Sequence, residues 1–361
     1  MSSQNSNFDD AKAENFANSL IDTLNKASLS LMISIGHRTG IFDKMSEMEP
    51  ATSEEIAQKT NLNERYVREW LGAMVTSGVM DVDPDLMKYS FPKEHSAFLT
   101  RNASADNIGS FTQYISVLGS IEDDILHCFR EGGGVPYSKY KRFHEVMAED
   151  SGQSVLSSLE VHILPLVGGI ENKLRDGISV LDAGCGSGHI INKLAELFPA
   201  STFTGMDLSG EAISMAKKHA ASKNLKNVKF EITDLTEFHN TAPEKEYDFI
   251  TTFDAIHDQA KPLNVLKGIH KALKDDGHYL MQDISASSYV YKNKEHPIGT
   301  FLYTISCMHC MSVSLAQNGE GLGAMWGEEK TIEYLKKAGF NSVKTHKLAH
   351  DIQNNWYVIR K

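Results

Sequence analysis

The nine residues Val180-Leu-Asp-Ala-Gly-Cys-Gly-Ser-Gly188 constrain this chain more than any other stretch. An apolar, β-branched run from Ile178 to Leu181 ends in an aspartate and three glycines at alternate positions, and an amphipathic stretch over Ile190 to Leu197 follows directly. This order predicts a strand, a tight glycine loop and a helix. Glycine is needed in such a loop because the backbone must take conformations closed to other residues and must let a ligand approach the main chain. The pattern predicts a site for a nucleotide-like cofactor, formed by Asp182, Gly184, Cys185, Gly186 and Gly188.

Spacing decides which cofactor. A dinucleotide fingerprint is G-x-G-x-x-G with a helix N-terminus aimed at a pyrophosphate, whereas these glycines are spaced G-x-G-x-G behind Asp182. A carboxylate at the mouth of the loop repels a diphosphate and suits a ligand bearing an ammonium and a sulfonium. S-adenosyl-L-methionine carries both and no phosphate. Ser201 to Met206 reads as a second strand ending at Asp207 and Leu208, nineteen residues past Gly188, where a carboxylate can hold both ribose hydroxyls. Val228 to Thr233 reads as a third strand leading to Asp234 and Leu235, and Tyr247 to Phe253 as a fourth. Four strand ends thus bring polar residues to one edge, which in an open α/β sheet is where ligands bind.

The acidic residue and glycine loop resemble motif I of the class I methyltransferases, in which the Asp234 position contacts the adenine amine. The resemblance implies an α/β fold with a Rossmann-like, seven-stranded sheet closed by an antiparallel hairpin, here Ser342 to Leu348 and Trp356 to Ile359. The fourth strand runs into Thr252-Phe-Asp-Ala-Ile-His-Asp258. This is similar to winged-helix O-methyltransferases acting on caffeate and hydroxyindoles, which have a His-Asp dipeptide past this strand. By that resemblance His257 is the general base. Asp283, after a fifth strand over Tyr279 to Gln282, stands where those enzymes orient the histidine with a glutamate, and Asp258 is a weaker candidate for the same role. The chemistry explains the need: a hydroxyl attacks a sulfonium methyl poorly until it loses its proton, which an imidazole titrating near neutrality can take. A carboxylate on the far nitrogen fixes the tautomer.

The chain departs from that pattern at Gln259-Ala-Lys-Pro262, where those enzymes have a tryptophan and an acidic cluster. It looks closer to microbial and invertebrate winged-helix methyltransferases, through Gly132-Gly-Gly-Val-Pro-Tyr137, Phe143-His-Glu-Val-Met-Ala-Glu-Asp150 and His309-Cys-Met311. This resemblance implies the fold, the donor, a small-molecule methyl acceptor and a homodimer, but not which acceptor. Oxygen is the expected accepting atom, with nitrogen, carbon and sulfur open. A regulator that senses the cofactor without catalysis is the alternative.

With 361 residues the chain suffices for about two domains. The expected division is a disordered tail over 1–14, a mainly helical winged-helix dimerisation domain over 15–100, a helical pocket region over 101–175 and a cofactor domain over 176–361. Helices are expected over Ala11 to Ser30, Leu31 to Ile41, after the capping box Thr52-Ser-Glu-Glu55, and over Tyr66 to Val75, followed by a hairpin around Asp83-Pro-Asp. Asn107 to Arg130 and Gln153 to Leu174 are each expected as one helix. Residues 1–100 hold nine Lys or Arg against fifteen Asp or Glu. A phosphate-binding face needs local positive charge, so the winged helix reads as a packing module. The net charge of −11 likewise disfavours nucleic acid and anionic membranes as partners. Four cysteines make no disulfide framework, and the polar start is unlike a signal peptide. A cytoplasmic protein is expected.

Cys307-Met-His-Cys310 lies in an apolar helical run, Phe301 to Leu315, without a second ligand pair at zinc-finger spacing, and reads as packing. Tyr137, Phe143, His309, Met311 and Trp326 are candidates for the acceptor pocket. Gly132 to Gly134 is read equally as lid or connector. No metal is expected: Asp254 and Asp283 stand where carboxylates could hold magnesium, but Ile284 replaces the usual asparagine and a third oxygen ligand is missing.

Overall fold

The computed structural model describes residues 8–361, in two compact units that meet at Ser116 and Val117. Half of the expected 1–14 tail, residues 1–7, lies outside the described residues. Its end is corrected, because a helix already starts at Asp10, capped by the Asp9 side chain accepting from the Lys12 amide.

In the first unit, Asp10–Thr39 is one continuous helix rather than the two expected. Nothing in its sequence breaks it before Gly40, which takes the left-handed conformation at φ 72° and ends it. Its last turns pack with Ile41–Met45, Ser53–Thr60 and Glu64–Thr76 around Phe42, Ile56, Trp70, Leu71 and Met74. The Trp70 indole N–H donates to the Met32 carbonyl at 2.8 Å. Strands β1 (Asp81–Asp83) and β2 (Lys88–Ser90) form the wing, and Ala51 bridges to Tyr89.

The second unit holds the large sheet. Its strands are β3 (Ser179–Ala183), β4 (Thr202–Asp207), β5 (Val228–Ile232), β6 (Tyr247–Phe253), β7 (Leu273–Ile284), β8 (Ser342–His346) and β9 (Asn354–Arg360). They lie in the order β5-β4-β3-β6-β7-β9-β8; only β9 runs antiparallel to its neighbours. Both faces of a mostly parallel sheet are buried, so its strands carry apolar residues on both sides. Val180, Phe203, Phe249, Leu280 and Trp356 face one layer with the helices His189–Leu197 and Gly210–Ser222. Their neighbours Leu181, Ile250, Met281 and Tyr357 face the opposite layer with Pro262–Ala272 and Gly327–Ala338. That alternation is the period-two signature of a strand. The expected turn Lys274-Asp-Asp-Gly277 is absorbed into β7 as a register shift between the pairs Tyr247–Leu273 and Phe249–His278.

Two expected helices are interrupted. Residues 107–130 form a 3-10 turn, Ile108–Phe111, and two helices, Thr112–Gly119 and Glu122–Glu131. Residues 153–174 are a succession of short 3-10 and π turns ending in Ile170–Asp176, with Pro165 and Gly168-Gly169 forbidding one uninterrupted hydrogen-bond ladder. Among the described residues no single helix is long and apolar enough to cross a membrane.

Phe249 is fully enclosed between β3, β7 and the helical layer. Phe249→Ala is expected to destabilise the protein by about 3–5 kcal/mol, seen as a lowered urea midpoint. A change below about 1 kcal/mol would mean that this layer is loosely packed.

Candidate active site

Order reverses at β3, which pairs with β4 on one side and β6 on the other. The crevice at such a switch point, beyond the carboxyl ends of the strands, is the natural ligand site of this architecture. Gly184, Gly186 and Gly188 all have positive φ. A Cβ on Gly188 would meet Ala216 Cβ at 2.7 Å and Phe230 at 2.8 Å, whereas one on Gly186 would meet nothing within 4 Å. The loop is therefore packed against protein at Gly188 and open at Gly186, where a ligand can approach the backbone. The amides of Gly184 and Cys185 donate to the Met206 carbonyl, tying the loop to β4.

Asp207 reinforces this loop. Its Oδ2 accepts from the Gly186 amide and its Oδ1 from the Ser209 amide, both at 2.8 Å. Each oxygen retains a second lone pair for a ligand hydroxyl. Leu208 beside it is 52% exposed. Asp234 is exposed and caps the turn after β5 through the Thr236 amide, with Leu235 buried below. Phe253 packs edge-on against Trp356. Asp182 does not stand at the mouth of the loop. It is buried within β3, its Oδ1 accepting from the Thr251 hydroxyl at 2.9 Å. Burial pushes its carboxyl up to about 7.

Past β6 the chain turns sharply. Asp254 has φ 48°, a left-handed conformation that costs a non-glycine residue energy and is frequent at functional sites. This turn directs His257 inward, with 3% of its side chain exposed. His257 Nδ1 donates to Asp283 Oδ1 at 2.7 Å. The same oxygen accepts from the Trp326 indole N–H at 3.0 Å and from the Ile284 amide at 2.8 Å, while Asp283 Oδ2 has no partner among the described residues. The opposite ring nitrogen, Nε2, lies 3.3 Å from Asp258 Oδ1. Burial disfavours the imidazolium, but the facing carboxylates of Asp283 and Asp258 outweigh it and hold His257 well above its ordinary range. Burial raises both Asp254 and Asp258.

The structure separates the five candidate pocket residues. Tyr137, Phe143 and His309 meet: Phe143 stacks on the His309 ring at 3.6 Å, and Tyr137 approaches it edge-on at 5.2 Å. Met311 lies on the following helix, Met311–Ala316, beside Gly323. Trp326 is corrected. It is buried in the core and touches the site through its hydrogen bond to Asp283, so it positions the dyad rather than lining a pocket. Cys310 packs in a buried apolar cluster as expected, and its thiol also abuts His257 and Asp258; burial pushes it up to about 12. Tyr140 and His144 were missed. Tyr140 packs against His309, and His144 Nε2 lies 3.3 Å from the Ser209 hydroxyl beside Asp207. Their sequence signal was the aromatic density of residues 137–144. Two sets of potential metal donors lie within 4.8 Å, Asp254–His257–Asp283 and His257–Asp258–Cys310. Both depend on His257, whose ring nitrogens already face carboxylates.

Residues 27–101 match the Rv2258c-like winged HTH domain family, and residues 174–339 match the methyltransferase domain family. The ubiquinone biosynthesis O-methyltransferase of Glaesserella parasuis is 28% identical over 117 residues, 32% of this chain and 49% of that protein. The chain thus spans about half the length of the curated relatives it first matches. Human N-acetylserotonin methyltransferase, solved with SAM, is 18% identical with a TM-score of 0.66, covering 100% of this chain and 99% of that one. Mitomycin 7-O-methyltransferase MmcR is 16% identical with a TM-score of 0.67, covering 98% and 100%. At these identities the likeness is one of fold.

Asp182 generates a test by linkage. Its folded pKa of about 7 lies above its unfolded value of about 4, so the stability it contributes is full below the lower value and lost as pH rises toward the higher. Asp182→Asn cannot lose it. From about pH 4 to 7 the variant's urea midpoint is expected to rise relative to wild type; a constant difference would contradict the burial argument.

The chain joins a winged helix-turn-helix domain over residues 27–101 to a methyltransferase domain of class I fold over residues 174–339.

Proposed function

We propose that the protein transfers a methyl group from S-adenosyl-L-methionine to a hydroxyl of a small molecule, with the His257–Asp283 dyad receiving the proton. The observation that carries this reading is the buried 2.7 Å hydrogen bond that fixes the His257 tautomer beside an open glycine cradle. The cradle supports the donor: open backbone at Gly186, a carboxylate at Asp207 with lone pairs for ribose hydroxyls, and exposed Leu208 to cover an adenine face. Asp234 completes the proposed contacts, while Asp182 ties β3 to β6 through the Thr251 hydroxyl. Bound S-adenosyl-L-methionine supplies an electrophilic methyl on a sulfonium.

The chain's own residues do the rest. Asp283, held by Trp326 and the Ile284 amide, keeps the proton on Nδ1 and leaves Nε2 to take the acceptor's proton as oxygen attacks. Beside a positively charged donor, His257 loses its own proton at lower pH, which frees Nε2. We assign no metal to this step.

For partners, we propose a homodimer without nucleic acid. On the recognition-type helix Glu64–Thr76, Arg65 and Arg68 pair with Glu69 and Glu64, at 2.5 and 3.2 Å, so its basic charge is locally neutralised. The helix Asp10–Thr39 instead presents Phe16, Leu20 and Leu24 at four-residue spacing, 64%, 54% and 68% exposed. A stripe of that kind is covered in a soluble chain, and a second copy supplies a matching stripe. Leu20→Glu with Leu24→Glu is expected to convert a dimeric mass in light scattering to a monomeric one; a monomeric wild type would refute the assembly.

Radiolabelled methyl transfer to a panel of phenols tests the activity. His257→Ala is expected to retain S-adenosyl-L-homocysteine binding and to slow turnover by about 100-fold or more. Asp207→Ala is expected to weaken binding by about 1.5–3 kcal/mol. Equal loss of binding in both variants would make His257 structural. In wild type, kcat/KM is expected to rise with pH to a plateau above neutrality, because the raised His257 must lose its proton. Asp283→Asn should move that rise to lower pH.

A further inference from the structure

His257, Asp258 and Cys310 bring a nitrogen, an oxygen and a sulfur to one point: one such atom from each lies within 4.8 Å of the other two. His257 Nδ1 donates its proton to Asp283 at 2.7 Å, which leaves a lone pair on Nε2 of the neutral ring. That lone pair faces Asp258 Oδ1 at 3.3 Å, an oxygen without a hydrogen-bond partner among the described residues. Two acceptors at this distance repel unless a proton or a metal ion lies between them. A shared proton needs only these two atoms. The third, the Cys310 sulfur, is what a soft cation adds to its coordination.

The distances fit a tetrahedral ion. Zinc bonds of about 2.0–2.2 Å to nitrogen and oxygen and about 2.3 Å to sulfur set ligand-to-ligand edges of roughly 3.3–3.6 Å. The nitrogen–oxygen pair already stands at such an edge, 3.3 Å. Cys310 ends the π-helical turn Ser306–Cys310, an irregularity frequent at functional sites, and is buried with Ile284, Leu302 and Met325. Asp283 supplies the outer support. A metal-bound histidine almost always donates its far N–H to a carboxylate, which fixes the tautomer and makes the ligating nitrogen more basic. Here that carboxylate is itself held by the Trp326 indole and the Ile284 amide. Three protein ligands leave a fourth position open. Asp258, whose side chain is 21% exposed where that of His257 is 3% exposed, marks the side from which an ion enters.

We propose that His257, Asp258 and Cys310 bind a zinc ion that shuts off methyl transfer, because the metal takes the Nε2 lone pair that otherwise receives the acceptor's proton. The inhibition, though not the binding, rests on the methyltransferase reading above. On binding, the Cys310 thiol releases its proton to solvent and coordinates as thiolate. Thiolate and carboxylate together neutralise the ion. Magnesium, which takes oxygen ligands in a near-octahedral array, does not suit this donor set.

The test is titration of the full-length protein with cobalt(II), which stands in for zinc and reports its ligands by absorption. One equivalent is expected to give the intense visible bands of a tetrahedral site and a near-ultraviolet sulfur-to-cobalt charge-transfer band, both erased by zinc and unaffected by excess magnesium. Cys310→Ala should abolish the charge-transfer band and weaken zinc binding at least about tenfold, since loss of even an outer partner costs about 10–100-fold. Should Cys310→Ala not fold, a variant carrying Cys128→Ser, Cys185→Ser and Cys307→Ser decides, because Cys310 is then the one remaining thiol and the band should persist. In wild type, bound zinc is expected to slow methyl transfer to the phenol panel by about 100-fold or more, as loss of the base does, and a chelator is expected to restore it. Octahedral cobalt bands, a charge-transfer band that survives Cys310→Ala or vanishes in the triple variant, or methyl transfer unchanged or stimulated by zinc would overturn the proposal. Absence of methyl transfer by the metal-free protein would instead refute the methyltransferase reading, and the cobalt bands would still decide the site.

Discussion

The short hydrogen bond between His257 and Asp283 joins two strand ends, and much of the site depends on that junction. Asp283 comes from β7 and His257 from the turn after β6, which are paired through Phe253 and Gln282. A carboxylate with no exposed surface needs compensation. Asp283 has it in three N–H donors, from His257, Trp326 and its own neighbour Ile284. One of these comes from a helix-side tryptophan forty-three positions away in sequence. The dyad is thus held from two layers of the fold, which gives the imidazole one tautomer and one orientation.

The proposed function divides one edge of the sheet between two kinds of chemistry, because burial differs along it. On the side of β3, β4 and β5, Asp207 and Asp234 retain access to solvent and spend part of their acceptor capacity ordering backbone amides. That suits groups whose task is to hold a ligand. On the side of β6 and β7 the carboxylates are withdrawn among aromatic side chains, where burial shifts proton affinities and brings Asp258 and His257 into competition for one proton. That suits groups whose task is to move one. The strained turn at Asp254 marks the passage between these regimes.

The glycine loop and the strand ends beside it were legible in the sequence because they are set locally. The glycines and Asp207 are set by strand ends and loop spacing, and β6 falls on Tyr247–Phe253 as its composition implies, whereas Asp182 is drawn inside the sheet by a partner on another strand, Thr251. Asp283 was legible only through resemblance, yet its partner is observed. What could not be read was long-range: Trp326 donating into the core, Cys310 against the base, and Tyr140 around His309. An indole N–H or a thiol has no periodic signature, and its partner is set by how the segments after β7 fold back. The interrupted helices have a related cause. Apolar periodicity over 107–130 and 153–174 fits a single helix, but proline, paired glycines and tertiary packing divide it into turns. The helix Asp10–Thr39 shows the converse, since apolar periodicity suggests a division where no breaker exists.

The central claim is that the open glycine cradle beside Asp207 holds S-adenosyl-L-methionine. Titration calorimetry of the purified protein with S-adenosyl-L-methionine, S-adenosyl-L-homocysteine and NADH tests it most directly. Dissociation constants on the order of micromolar are expected for the first two, with no heat from NADH. A folded sample that binds neither sulfur ligand, or that binds NADH instead, would contradict it.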